Sequence, residues 1–311
     1  MKTLTIIAPV YNEEDVIEQF YNALKLQLDK LLDTYDSKIL FVLDKSQDKS
    51  LDILSRIGDR DKSAQVLALS SRFGHQMSLL AGIDNTDSDL AIMMDSDLQH
   101  PPEIIPTLLQ EFEKGYDVVN TTRMDIKEIG FLKRITSRWF YNILTRISEI
   151  PIRESSADFR LLNKKVLNII KTQIRERNLF LRGMISWIGF SQTSIPFYVK
   201  ERSGGKSKYS LGRLIQFGLN GVVSFSKKPL QAAIYVGVLF AFLGFIFALV
   251  TITQYFFDDT FPAGWATLVV VFSVFSGVQL IFLGIIGEYI GAIFDEVKGR
   301  PHYIIEEKIN I

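Results

Sequence analysis

Between Pro229 and Phe257 no residue carries a charge, and none does between Thr260 and Gly287. Each run exceeds the roughly 20 apolar residues that take a helix across about 30 Å of hydrocarbon. A surface helix of a soluble domain keeps a polar face, and these segments have none, so the sequence is read as that of a membrane protein rather than one with two buried core helices. Met1 to Ile7 is too short an apolar stretch for a signal sequence and is interrupted by Pro9, so residues 1–228 are expected to stay on the side where they are made.

Charge near the runs sets their orientation. Lys227 and Lys228 precede the first, Lys298 and Arg300 follow the second, and the connection holds Asp258 and Asp259 but no Lys or Arg. By the excess of Lys and Arg on cytoplasmic flanks, both termini should face the cytoplasm. Phe257, Phe261, Pro262 and Trp265 suit a turn with aromatic anchors at the far interface. Glycines 237, 244, 277, 284, 287 and 291 would let helices approach closely, so self-association into a homo-oligomer is expected. The domain reading is 1–228 cytoplasmic, 229–294 a two-helix hairpin and 295–311 a cytoplasmic tail.

The first part of the chain alternates strand-length apolar runs with helical periods. Strands are predicted over Leu4 to Pro9, Lys38 to Leu43, Ala64 to Ser70 and Leu90 to Met94, with helices over Asp15 to Leu32, Ser50 to Ile57 and Gln76 to Ile83. That order implies an α/β fold with a mostly parallel central sheet and a ligand site at its carboxyl edge. Two later segments have interfacial character. Residues 131–150 set Phe131, Leu132, Ile135, Trp139, Ile143 and Ile147 at helical spacing among Lys133, Arg134, Arg138 and Arg146. This suits a basic amphipathic helix on anionic lipid, or equally a helix packed on the sheet. Residues 209–225 form a second such segment leading into the first apolar run.

With 35 basic and 35 acidic residues the chain is not a globally basic nucleic-acid binder, and with no cysteine it has neither disulfides nor thiolate metal sites. Its sharpest local feature is Asp95-Ser96-Asp97-Leu98-Gln99-His100-Pro101-Pro102, directly after an apolar strand. Carboxylates at i and i+2 where the chain leaves a sheet can converge on one hard divalent cation, Mg²⁺ or Mn²⁺, with Gln99 adding a neutral oxygen. An Asp-x-Asp pair is also ordinary turn chemistry. The other predicted strands end in polar clusters too: Pro9-Val10-Tyr11-Asn12-Glu13-Glu14, Asp44, and Arg72-Phe73-Gly74-His75-Gln76. Four such clusters at one sheet edge suit a nucleotide lying across it. His75 and His100 lack zinc-type spacing and read as pocket or turn residues. Arg202-Ser203-Gly204-Gly205-Lys206-Ser207-Lys208 is a basic, glycine-containing loop. It is not a Walker motif, because Lys200 stands where the first glycine is needed.

These residues carry a resemblance. The chain is similar to glycosyltransferase family 2, in its polyprenyl-phosphate branch. The similarity runs through Pro9-Val10-Tyr11-Asn12-Glu13, the Asp95 to Pro102 segment, Ser156-Ala157-Asp158-Phe159-Arg160-Leu161, Lys208-Tyr209-Ser210-Leu211 and the C-terminal pair of apolar runs. The resemblance implies a GT-A-type domain and inverting transfer of one sugar, with glucose from UDP-glucose the first choice, to polyprenyl phosphate at a bacterial-type inner membrane. It further implies that Pro9, Tyr11, Glu13, Asp44 and Asp95 line the donor pocket, with Arg202 and Lys206 closing over the diphosphate. Asp95, Asp97 and Gln99 would hold the Mg²⁺ or Mn²⁺. Asp158 matches the catalytic carboxylate of inverting relatives, either as a base or as an orienting group, since a phosphate acceptor is already anionic, or else is a carboxylate merely paired with Arg160 or another arginine. Loops such as Ser70 to Gln76 and Glu176 to Met184 would shape the sugar pocket. Arg123, Arg134 and Arg138 would meet the acceptor phosphate or form a solvated or headgroup-contacting face. Leu43-Asp44-Lys45-Ser46 departs from the family's Asp-Asp-Gly-Ser at its first residue. The alternatives are a processive polysaccharide synthase, against which Ile135 stands where Gln-x-x-Arg-Trp needs glutamine, and a non-catalytic membrane scaffold.

Overall fold

The computed structural model describes residues 1–124, 156–177, 179–198, 228–257 and 264–311. They divide into two compact units, one of residues up to 198 together with 300–311, the other of the two long C-terminal helices.

The first unit is built on an eight-stranded mixed sheet. Four parallel strands form its centre: β1 (Lys2–Val10), β2 (Tyr35–Leu43), β3 (Ala64–Leu69) and β4 (Leu90–Met93). On one side β6 (Ser156–Asn163) runs antiparallel to β4, followed by β5 (Val118–Met124) and β7 (Gln192–Tyr198). On the other side β8 (Ile305–Ile309) runs antiparallel to β3, giving the order β7-β5-β6-β4-β1-β2-β3-β8. The expected α/β sheet is therefore present, with its parallel centre flanked by antiparallel additions. The sequence sets residues 295–311 apart as a tail, yet 305–309 supply the eighth strand. Its sequence, Ile-Glu-Glu-Lys-Ile, is too polar for a central strand and suits the edge it occupies.

Every residue of β1 from Leu4 to Val10 is buried, because helices cover both faces of the sheet. On one face Phe20 and Leu24 of α1 (Ile17–Leu28) and Leu54 and Ile57 of α2 (Ser50–Arg60) pack with Leu4, Ile6, Ala8 and Phe41. On the other lies α3 (His75–Asp84), whose Gly82 faces Ile7 and Val42 so closely that a Cβ there would clash with the Ile7 side chain. The remaining α-helices of this unit among the described residues are α4 (Ile105–Glu113), α5 (Lys164–Gln173) and α6 (Leu181–Trp187). The first helix is shorter than the Asp15 to Leu32 expected from its periodicity: it begins at Ile17, and its last turn tightens into a 3₁₀ turn over Asp29–Leu31.

The second unit comprises α7 (Lys228–Phe257), 30 residues, and α8 (Trp265–Val297), 33 residues. At 1.5 Å per residue each exceeds about 40 Å, so both are long and apolar enough to cross a membrane. They touch through Phe240 and Phe275, whose ring centroids lie 5.2 Å apart, edge to face. Tyr235, Phe242, Phe272 and Leu280 stay exposed, an apolar surface that water would not favour. Helix α8 runs past the uncharged segment to include Glu288, Asp295 and Glu296.

Candidate active site

The topology delivers the carboxyl ends of β1, β2, β3, β4, β5 and β7 and the amino ends of β6 and β8 to one edge of the sheet. There the backbone turns are tied to one another by side chains. Asn12, at a φ of 52°, donates its N–H to Ser46 Oγ (3.1 Å), and its Oδ1 accepts from Gln47 N–H (2.9 Å). Ser50 Oγ accepts from Glu13 N–H (3.0 Å), so the turns after β1 and β2 form one body. Pro9 lies past the end of β1's pairing with β4, where its missing N–H costs no ladder bond, and its carbonyl accepts from Ser96 Oγ (2.8 Å). The Arg72 guanidinium stacks over the Tyr11 ring at 4.3 Å.

Asp44, expected to line the donor pocket, lies at this edge with its carboxylate turned to the backbone. It is only 4% exposed, and its two carboxylate oxygens accept the N–H groups of Phe73 (2.8 Å) and Gly74 (2.9 Å). Gly74 has a φ of 92°, a conformation open to glycine at little cost, and it caps α3 so that His75 projects from the first turn. Asp44 thus acts on the site through the loop that carries His75. Leu43, where the family has its first aspartate, is buried in the core.

The Asp95 to His100 loop is shaped by its own side chains. Asp97 Oδ1 accepts from Gln99 N–H (3.0 Å), and Leu98 between them adopts a φ of 63°. His100 Nδ1 accepts from Asp95 N–H (2.8 Å), which fixes the proton of a neutral ring on Nε2, while the ring stacks on Phe159 at 5.2 Å. The Asp95 carboxylate pairs with His75 Nε2 at 2.8 Å. Burial would raise the Asp95 carboxyl, but the His75 hydrogen bond and the charges of His75 and Arg182 outweigh it and hold it down to about 2. His75 is itself raised, its partner Asp95 outweighing the opposing effect of burial. Asp95 and Asp97 with the Gln99 amide make an all-oxygen donor set. Among the described residues no group of three acidic, His or Cys side chains could hold an ion unaided. Such a set fits a hard cation that completes its shell with water and substrate phosphate.

Strand register brings in the next carboxylate. Met93 pairs with Arg160 across the antiparallel β4–β6 ladder, and continuing that count sets Asp158 opposite Asp95. Asp158 is 10% exposed and receives Arg182 in a bidentate grip, Nε to Oδ1 at 3.2 Å and Nη2 to Oδ2 at 2.9 Å. Arg160 Nη2 reaches Oδ1 at 3.4 Å and also donates to the Ala157 carbonyl at 2.8 Å. Burial would raise the Asp158 carboxyl; the two guanidiniums reverse this and keep it below the ordinary carboxylate range. Arg160 is 1% exposed, its Nε has no hydrogen-bond partner among the described residues, and burial lowers it to about 10 although Asp158 pulls the other way. His75 Nδ1 lies 4.0 Å from Asp158, so His75 bridges the two carboxylates.

Pro9, Tyr11, Glu13, Asp44, Asp95, Asp97, Gln99 and Asp158 therefore gather at one edge, and exposed Arg123 lies at the same edge near the end of β5. Arg134, Arg138, Arg202 and Lys206 lie outside the described residues, as do the segments 131–150 and 209–225. Sequence reasoning names Arg160 only as a pairing partner of Asp158, which the structure shows, includes Arg182 only within a pocket segment, and gives His75 only a pocket or turn role. Arg160 shares a strand face with Asp158 at i, i+2 and was legible in principle. Arg182 comes from α6, more than twenty residues on, and nothing local marks it.

The family model described as Glycosyl transferase family 2 matches residues 5–174, more than half of the chain. The chain belongs to glycosyltransferase family 2. A second model, the GtrB C-terminal hairpin, matches residues 228–293, the span of α7 and most of α8. Among curated relatives, the uncharacterized glycosyltransferase YkcC of Bacillus subtilis is 38% identical over 99% of this chain and 94% of its own length. The uncharacterized glycosyltransferase sll0501 of Synechocystis is 37% identical over 98% of this chain and 95% of its own. The bactoprenol glucosyl transferase of Shigella phage SfII is also 37% identical, over 98% and 97%. The mixed sheet is thus the GT-A-type domain of this family, and the family's departure at Leu43 is a core substitution.

Proposed function

We propose that this glycosyltransferase moves glucose from UDP-glucose to polyprenyl phosphate, with inversion, at the cytoplasmic face of a bacterial inner membrane. The observation that carries this reading is the union, on one chain, of the Asp95 to Asp158 edge with an apolar hairpin, in an order that the phage bactoprenol glucosyl transferase shares nearly end to end. A lipid phosphate cannot travel far into water, so an enzyme that uses it needs its site anchored at the headgroup plane.

In this reading an oxygen of the acceptor phosphate attacks the anomeric carbon, the bond from that carbon to the donor's β-phosphate oxygen breaks, and UDP leaves with the electron pair. The acceptor oxygen is already anionic at neutral pH, so no base is required. Asp158, held by Arg182 and Arg160, suits orienting work better than proton abstraction. Asp95, Asp97 and Gln99 would hold Mg²⁺ or Mn²⁺, whose contribution is to offset charge on the departing diphosphate. Tyr11, Glu13 and Arg72 would form the nucleotide end of the donor pocket, and Arg123 with Arg134 and Arg138 the acceptor side, with Arg202 and Lys206 on a closing loop. The domain division is 1–228 for transfer, 229–294 for anchorage and 295–311 returning to the cytoplasmic side, and association into a homo-oligomer would steady a domain held by two spans.

The test is transfer of radiolabel from a panel of nucleotide sugars into undecaprenyl phosphate, with Mg²⁺, Mn²⁺ or chelator. Label from UDP-glucose in the organic phase, lost with chelator, is the expected result. Label in a water-soluble polymer instead, or none from any donor with folded protein, overturns the reading.

A further inference from the structure

Arg182 has no place in the donor or acceptor assignments above, yet its position at this edge is fixed from two sides. Asp158 grips it through Nε and Nη2, and Gln76 Oε1 accepts the N–H of its neighbour Leu181 at 3.2 Å. Gln76 follows His75 in α3, and His75 pairs with Asp95. The element carrying Arg182 is thus fastened to both sides of the carboxylate cluster.

Asp158 faces two guanidiniums, fully buried Arg160 from the core side at 3.4 Å and Arg182 at 2.9 Å, so one carboxylate holds two cations. The Arg182 side chain remains 35% exposed, and Nη1 hydrogen-bonds to no described residue. An arginine whose Nε–Nη2 edge is pinned by a buried carboxylate is a preorganised cation with one nitrogen still to donate, which favours an oxyanion. Its field reaches Asp95, where the substrates' phosphates would meet.

Resting on the proposed transfer to a lipid phosphate, we infer that Arg182 is a ligand for a substrate phosphate oxyanion and that Asp158 is the positioning residue that aims it. Two sources supply that oxyanion: the acceptor monophosphate and the donor diphosphate. The assignment gives Asp158 a purpose that a proton-accepting role would not, because both oxygens of a general base must not be committed to a guanidinium. It also accounts for Arg160, which gives Asp158 a second cation from the core side.

The experiment is equilibrium binding on full-length protein in detergent, which requires no turnover. UDP with Mg²⁺ is one probe, followed by calorimetry; undecaprenyl phosphate in mixed micelles is the other, against micelles of the same detergent alone. Arg182→Gln should weaken one of the two by about 10- to 100-fold, the range expected for losing a charge-assisted hydrogen bond. Weakened lipid binding with UDP affinity within twofold of wild type identifies the acceptor phosphate; the converse identifies the donor diphosphate. Both affinities within twofold of wild type in folded R182Q overturn the inference. Should R182Q fail to fold, Arg182→Lys keeps the charge against Asp158 and loses the fork. It is expected to weaken the same ligand by about 3- to 10-fold, and unchanged affinity for both probes overturns the inference equally. Failure of the proposed function would show separately, as wild-type protein that transfers no glucose to lipid.

Discussion

Asp44 offers the clearest test of how this site is held together, because its sequence-derived role and its structural role predict different outcomes. Its carboxylate accepts two backbone N–H groups, from Phe73 and Gly74, in a position almost closed to water. Hydrogen bonds to a charged acceptor each contribute about 1.5–3 kcal/mol, so losing both without relaxation would cost about 3–6 kcal/mol. Phe73 and Gly74 are themselves half-exposed, and the loop can open to let water replace the lost acceptor. Asp44→Ala should therefore cost about 2 kcal/mol in global unfolding, the rest appearing as local opening of residues 70–76. Amide hydrogen exchange of that segment should speed markedly, and UDP affinity should fall about tenfold as His75 loses its fixed relation to Asp95. Asp44→Asn keeps one acceptor oxygen but turns an amide donor toward the other N–H, so its exchange should also quicken. Were Asp44 instead a direct nucleotide contact, both variants would lose UDP affinity with exchange in 70–76 unchanged. That pattern would refute the reasoning.

Three further outcomes are expected. Asp158→Ala strands Arg160 as a buried unpaired charge, so denaturation should show a loss of about 3–5 kcal/mol, and adding Arg160→Met should restore much of the stability but not the transfer activity. Asp61 accepts from Ser63 N–H, Ser63 Oγ and Tyr21 and pairs with Lys25 at 2.9 Å; burial alone would raise its carboxyl, but these partners draw it far below the usual range. A depressed folded value means the stabilisation is present above about pH 4 and is lost as pH falls below it, so Asp61→Asn should lower stability at pH 7 and flatten its acid dependence. The chain has no cysteine, so Asp259→Cys gives a single labelling site, which an impermeant maleimide should reach from outside intact cells while Glu307→Cys should react only after permeabilisation.

Much of this architecture was legible because local chemistry and global placement agree. The four parallel strands announce themselves as apolar runs, and the polar residues after each had to share an edge once the strands were parallel. Asp95 and Asp97 could be found in this way. Contacts made across the sheet order could not. Nothing in Asp158 reveals that β6 inserts antiparallel between β4 and β5, which is what sets it opposite Asp95. Arg182 depends on α6 returning to that edge, and Asp44 turns inward because a loop thirty residues later offers it two amides. Polar residue types at strand ends identify a site; which of them face the ligand and which hold the others is decided by long-range register.

The C-terminal strand carries that argument to the membrane anchor. The chain leaves the sheet after β7, runs through α7 and α8, and comes back to lay β8 beside β3. The proposed two-span topology agrees with this return, because a chain that comes back to the same sheet crosses a bilayer an even number of times. The return is secured by more than the ladder. Tyr303 donates to Asp84 at 3.0 Å, Arg177 to the Pro301 carbonyl at 2.6 Å, and Lys45 pairs with Glu306 at 2.6 Å. Ser70, which opens the loop carrying Phe73, Gly74 and His75, donates its N–H to the Ile304 carbonyl at 2.9 Å. The residues that close the hairpin therefore also brace the base of the His75 loop. The strand that follows the two apolar helices thus also braces the loop that sets His75 beside Asp95.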